Sequence, residues 1–594
     1  MGAAQGAVLL SVESGGLAMR ATREIRIGGW WVRPSLSRIE RAGQAVHLRP
    51  KSMEVLLFLA GRAGQVVSRT ELLDAIWPGL SVAEEGLTRC IADVRQAFGD
   101  SPEQPGYVET VAKRGYRLIA PVEPMGDVDA AGGPSGLVVL PFRDLSPGGD
   151  QEYFADGLTE QAIADLSQIH GLRVISRTSA MCFKHTPASV SAIAQELRVR
   201  HVLEGSLRRS GDDVRITVQL IDAGLDDHLW AETYSGTVGD VLDIQEKVSR
   251  AIVEALRLRL TEQEEARLAR RPAPDFATLD CYLRARSAIN EFTLDGVERA
   301  ITLLEGGLGR DGPSALLRAG LGFALFQRAN VSPRRDEDFV AARNQAEAAL
   351  RLDPQSPQAH LVLMSLEGRQ QECVRYLKRA LELAPGDPDA LYWLAMVYAN
   401  FAGRGGHALP LAERLADIDP LNPLAVAVIG IVHACEGRAV QALEALRRAF
   451  PEPRRTIERS WLGSVLAQAG REDEALAVLE PIALSPGCDV WTSLSVLLRY
   501  TLRGESERLP EVLTPEFAAL ARSGPHYSWR VGSLLARLGE SEAALDWLEH
   551  AVDRGFVNYP LLRYHDSFLA PLHAEPRFER LLRRVKREWE AFEV

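Results

Sequence analysis

Residues 48–79 read LRPKSMEVLLFLAGRAGQVVSRTELLDAIWPG. Pro50 suits the first turn of a helix, where a missing N–H costs nothing, so the spacing predicts a helix over 51–60 that stops at Gly61 or Gly64. Ser68-Arg-Thr-Glu71 is a capping box: the Ser hydroxyl accepts from the backbone three residues on, and the Glu reaches back. It opens a second helix through Leu72, Leu73 and Ile76, halted by Pro78-Gly79. Ser81-Val-Ala-Glu84 is a further capping box and opens a third. On that helix Leu87, Ile91, Val94 and Phe98 share a narrow arc, while Glu85, Arg89, Ala92, Asp93 and Gln96 lie opposite and Thr88 sits at the edge. Residues 107–119, YVETVAKRGYRLI, place two β-prone runs around Ala112-Lys-Arg-Gly115, which predicts a hairpin with a basic tip.

Upstream, short alternating runs at 25–32 and 37–48 predict a small antiparallel sheet. The order of these parts, with LTRCIADVRQAFGD and YVETVAKRGYRLIAPV, resembles the winged helix-turn-helix domain of OmpR/PhoB-type regulators, in the CadC/ToxR/HilA branch that has no receiver domain. The resemblance covers about 95 residues and implies that the third helix enters the major groove and the wing the minor groove. The family's contact positions fall on Thr88, Arg89, Asp93 and Gln96 of the helix and on Lys113, Arg114 and Arg117 of the wing. Promoter DNA and RNA polymerase are the implied partners. Two departures stand out: Ala92 and Asp93 replace basic residues common there, and Arg49 replaces a frequent Thr cap before the helical Pro.

Residues 121–136 hold three prolines and four glycines and almost no large apolar group, which reads as a linker. Beyond it, strand-like and helix-like runs alternate as far as Arg270-Arg-Pro-Ala-Pro-Asp275. VLPFRDLSPGGDQEYFADGLTEQAIADLSQIHGLRVISRTS, VLEGSLRRSGDDVRITVQLID and HLWAETY resemble the TolB N-terminal-like domain, which implies an α/β sandwich. Asp and Gly of Phe154-Ala-Asp-Gly157, and Asp213, read as turn formers rather than metal ligands.

The rest is helical in pattern. Pro354, Pro385, Pro420 and Pro451 recur at a period near 34, each after an Ala/Leu-rich run, which reads as six to eight tetratricopeptide repeats closed by the Trp589 and Phe592 helix. Such stacks bury a continuous core and offer a groove to a protein partner or a second copy. Gly307-Leu-Gly-Arg-Asp-Gly312 matches a dinucleotide fingerprint but follows a helix, so it reads as a turn between repeat helices.

The expected fold class is thus multidomain α+β: a winged helix-turn-helix, an α/β sandwich domain, then an all-α tetratricopeptide-like solenoid. The expected boundaries are a disordered leader at 1–19, the DNA-binding domain at 20–120, a linker at 121–135, the TolB-like domain at 136–262 and the repeats at 275–594. Of 594 residues 46% are hydrophobic and 25% charged, which excludes a disordered chain. The six cysteines form no C-x-x-C, which excludes a zinc ribbon and fits a reducing compartment. No apolar run approaches the 20 residues of a membrane span, and the expected location is cytoplasmic. The net charge of −12 divides into −1 over 1–19, +4 over 20–120 and −15 over 121–594, a mildly basic head on an acidic body. No cofactor, metal or catalytic residue is expected. The reading is a transcriptional regulator; the alternative is an interaction scaffold with little DNA affinity. A third reading, an enzyme, arises because the middle domain also follows cyclase domains elsewhere, but no cyclase-sized segment is present.

Overall fold

The computed structural model describes residues 25–594 except 29, 34–37, 42–43, 78–83, 102–104, 112–113, 121, 125–134, 150, 226, 257, 259, 269–274, 291–292, 332–335, 367–369 and 485–488. The leader, most of the expected linker, the Ser81–Glu84 capping box and Lys113 therefore lie outside the described residues. The chain divides into two units, Met1–Gly132 and Gly133–Val594.

In the first unit, strands β1 (Ile25–Ile27), β2 (Trp30–Arg33), β3 (Arg38–Arg41) and β4 (Gln44–His47) form an antiparallel meander. Three helices follow, α1 (Pro50–Ala60), α2 (Arg69–Ile76) and α3 (Glu84–Phe98), then a hairpin of β5 (Val108–Val111) and β6 (Gly115–Leu118). The Ser68 capping box forms as expected, with Glu71 N–H donating to Ser68 Oγ at 3.1 Å and Ser68 N–H to Glu71 Oε2 at 2.8 Å. Leu87, Ile91, Val94 and Phe98 are buried in the head's own core with Ile27, Ile39, Leu56 and Leu72. One expectation is corrected: Val122–Pro124, assigned to the linker, is strand β7 and pairs with β1, so the head's sheet runs β4-β3-β2-β1-β7. Its Pro124 lies at the sheet edge, where a missing donor is tolerated.

The second unit opens with a sheet in the order β10-β8-β11-β12-β13: β10 (Leu172–Val174), β8 (Ser135–Val139), β11 (His201–Ser210), β12 (Asp213–Asp222) and β13 (Asp227–Thr237), with β9 (Arg143–Asp144) pairing β11. The first three run parallel and the last three antiparallel. Val214, Ile216, Val218 and Leu220 are buried on one face, in one core with residues of α4 (Glu152–Leu166) and α7 (Val241–Ala255). Two short helices, α5 (Arg177–Met181) and α6 (Val190–Leu197), complete this part.

The tail then stacks eight helix pairs among the described residues, from Phe276–Ile289 with Leu294–Asp311 to Pro525–Arg537 with Ser541–Asp553, and Pro576–Glu590 closes the stack. Helices end at Leu352, Leu383, Ile418 and Ala449, each two residues before a proline that cannot continue it. Glycines let paired helices approach: a Cβ on Gly430 would stand 2.7 Å from Leu446 Cγ, and one on Gly532 2.9 Å from Leu548 Cγ. Gly307-Leu-Gly-Arg-Asp-Gly312 is corrected too. Its first five residues are the end of helix Leu294–Asp311, and only Gly312, at φ +78°, turns the chain. Gly307 faces Cys281 and Leu317 so closely that a Cβ would overlap both.

Middle and tail are joined by polar contacts that the alternation of strands and helices did not predict. Glu160 of α4 accepts from Arg286 Nε at 2.9 Å and NH2 at 2.6 Å, and pairs with Arg177 at 3.1 Å. Asp419 accepts from Ser176 and, at 2.7 Å, from Ser179. Burial works against ionisation of Glu160, but the two guanidinium groups outweigh it and hold its carboxyl below the usual range.

Candidate nucleic-acid interface

The wing is fixed to α3 by groups at that helix's C-terminal end. Arg95 Nε and NH2 donate to Val108 O at 3.2 and 2.7 Å, and NH2 reaches Thr110 Oγ1 at 2.9 Å. The Asp100 carboxylate accepts from the backbone N–H groups of Gly106, Tyr107 and Val108 at 2.6, 3.1 and 2.8 Å. Tyr107 stacks on Phe98 with centroids 4.6 Å apart. Strand β6 lies against the segment before α2, where Val67 and Tyr116 exchange two backbone bonds of 2.9 Å. Gly115, at φ +146°, permits this approach, because any Cβ there would collide with the Val67 carbonyl. The Gly of the G-Y-R-L run is therefore a packing requirement.

Of the seven residues singled out from the sequence, Thr88, Arg89 and Gln96 lie exposed along α3, and Arg114 is exposed at the hairpin turn. Asp93 is differently placed. It is half-buried, paired with Arg49, whose Nε donates at 2.8 Å, and accepts from Ser52 Oγ at 2.7 Å. Hydrogen bonding to Arg49 keeps its pKa below the usual carboxylate range despite partial burial. The two departures seen in the sequence, Arg49 and Asp93, are thus partners of each other, and Arg49 makes no side-chain cap to α1. Arg117 is likewise committed, its Nε donating to Glu109 Oε2 at 2.7 Å across the hairpin. Sequence reasoning missed Arg95 and Asp100. Both follow from position: a cation in the last turn of a helix and a carboxylate just past its end.

Among the described residues no group of three potential metal ligands occurs, and no helix is long and apolar enough to cross a membrane.

Residues 43–118 match the family described as transcriptional regulatory protein, C terminal; residues 135–250 match the second domain of HilA/YgeH-like transcriptional regulators; residues 437–487 match the tetratricopeptide repeat. The family model matched by the middle segment is that of the HilA-like second domain. Curated relatives include a putative adenylate cyclase 3 of Rhizobium meliloti, 38% identical over 38% of this chain and 39% of that protein. The transcriptional activator CadC of Escherichia coli is 39% identical over 16% of this chain and 19% of its own length. The transcriptional regulator HilA of Salmonella typhimurium is 24% identical over 65% of this chain and 69% of its own. The chain thus spans about two fifths of the cyclase relative and a fifth of CadC. Its head is a winged-helix domain of the transcriptional regulatory C-terminal type, in a chain homologous to CadC and HilA that carries a HilA-like second domain and a tetratricopeptide-repeat tail.

Proposed function

We propose that the chain is a cytoplasmic, sequence-specific transcriptional regulator of promoter DNA. Helix α3 reads base edges in the major groove through Thr88, Arg89 and Gln96, and the wing brings Lys113 and Arg114 to the adjacent minor groove. Asp93 orients the helix by holding Arg49 and Ser52, and Arg117 stiffens the wing by holding Glu109. The observation that carries the reading is the exposed polar face of α3 beside a wing pinned to the same helix by Arg95. The middle domain and repeats receive a signal, hold a protein partner or pair two copies, and RNA polymerase is the further partner. We read the chain as a regulator rather than an enzyme because the likeness to HilA extends over 404 residues.

The test is salt dependence. The head has its own core and a sheet completed by β7, so residues 20–132 can be studied alone. Neutralising roughly four to six phosphates gives a log–log slope of about −4 to −5. A slope near zero in fluorescence anisotropy leaves only the scaffold reading.

A further inference from the structure

The sheet of the second unit has two unlike faces. Val214, Ile216, Val218 and Leu220 of β12 are buried on one. Toward the β11–β12 hairpin turn the alternate residues face outward and are uncovered, with Arg215, Thr217, Thr233 and Ser235 all exposed. Three arginines meet on this outer face. Arg208 of β11 lies directly opposite Arg215 of β12. Arg143 of β9 is paired with Ser206, two residues before Arg208 on the same face. All three are exposed, and none makes an ion pair among the described residues. The adjacent Arg209 instead points to the other face, where it bonds Gly211 O and Gln151.

Two like charges directly opposite across an antiparallel pair destabilise a sheet, and nothing acidic stands between these two. The carboxylates of this face lie at its ends: Glu204, already holding Gln219 at 2.7 Å, and Asp213 beside the hairpin turn. Between them lies a row of hydroxyls, with Thr217 and Thr233 in mutual contact at 3.1 Å. The apolar side chains of this face are Val202 and Ile221, buried at the end away from the hairpin turn, and Leu145, Leu229 and Ala231 at its margins.

We infer that this outer face binds the phosphate backbone of duplex DNA, through Arg143, Arg208 and Arg215 with the hydroxyls of Ser206, Thr217 and Ser235. An anion bridging Arg208 and Arg215 converts their repulsion into two charge-assisted bonds. Guanidinium and hydroxyl donors, arranged as a row of three cations with hydroxyls between them, are the groups that phosphate oxygens accept from. The inference rests on the DNA-binding reading of the head and adds a second, sequence-independent contact from the body.

The experiment uses the full chain and a mixed-sequence duplex, followed by anisotropy across a salt series. The triple variant Arg143→Gln, Arg208→Gln, Arg215→Gln is expected to make the log–log slope shallower by about 2 to 3, which between 50 and 200 mM salt changes the affinity ratio to the unmodified chain about 40-fold. Arg208→Glu, which sets an opposite charge against Arg215, is expected to weaken DNA binding while raising the Tm of the free protein by about one degree. Head variant Arg114→Gln serves as the comparison. If the unmodified chain and Arg114→Gln differ but the triple variant keeps the full slope, the body contact is overturned and the head's role stands; capture of an acidic protein by the intact face then names the other occupant. If the unmodified chain shows no salt-dependent binding, both readings fall.

Discussion

The exposed arginines of the head's candidate interface and the arginines between packed elements of the second unit are used in opposite ways. In the head, Arg89 and Arg114 stand exposed on a helix and a hairpin that other residues hold in place. In the second unit, arginines at element boundaries are spent on carboxylates: Arg286 on Glu160, Arg328 on Asp338, and Arg577 on Glu542, Asp546 and Glu549. A guanidinium between packed elements must be paired, because a buried unpaired charge costs several kcal/mol. One left in water costs little and remains available to a ligand. Partnering, more than local charge density, therefore separates arginines that build from arginines that bind, and Arg143, Arg208 and Arg215 fall with the second kind.

The strongest way to break this contrast is at Glu160. Glu160→Ala strands Arg286 and Arg177 between middle and tail and is expected to destabilise the second unit by about 3 kcal/mol. Urea unfolding followed by tryptophan fluorescence checks it, and the head's transition is expected not to move. A common shift of both transitions contradicts the independence of the two units. The next effect is on binding. Arg89→Ala is expected to cost about 1–3 kcal/mol on a preferred site and to relax specificity there, whereas Arg114→Ala weakens binding to all sequences alike. Competition with mixed-sequence DNA distinguishes them, and equal loss of specific and non-specific binding in both refutes the assignment.

The smallest effect concerns pH. His526 packs against Phe401, Trp491 and Tyr527, and its Nδ1 has no hydrogen-bond partner among the described residues. Burial, and then the neighbouring Arg530, push its pKa down to about 3, against about 6.5 when unfolded. With the folded value depressed, its contribution is fully present above about pH 6.5 and is lost as pH falls toward 3. His526→Gln is expected to flatten the fall in Tm of the second unit between pH 6.5 and 4; an unchanged profile assigns that fall to other groups.

Much of the candidate interface was legible in the sequence because its parts are local. A capping box spans four residues, the α3 wheel fifteen, and the wing follows within ten, so spacing alone put Thr88, Arg89, Gln96 and Arg114 where they stand. Asp93 and Arg117 show the limit. Both lie at positions where the family makes contacts, yet their partners, Arg49 and Glu109, are 44 and 8 residues away.

The sequence by itself determined the order of parts, the helix stops before Pro354, Pro385, Pro420 and Pro451, and the buried arc Leu87, Ile91, Val94 and Phe98, since periodicity, caps and prolines act within a few residues. Only the tertiary structure decided that Val122–Pro124 returns to pair with Ile25–Ile27, that Gly307 lies inside a helix against Cys281, and that Asp419 holds Ser176 and Ser179 about 240 positions away. The physical reason is that these outcomes depend on which surfaces meet once the chain has collapsed. A short polar residue carries no record of its distant partner, whereas a hydrophobic period records its own face.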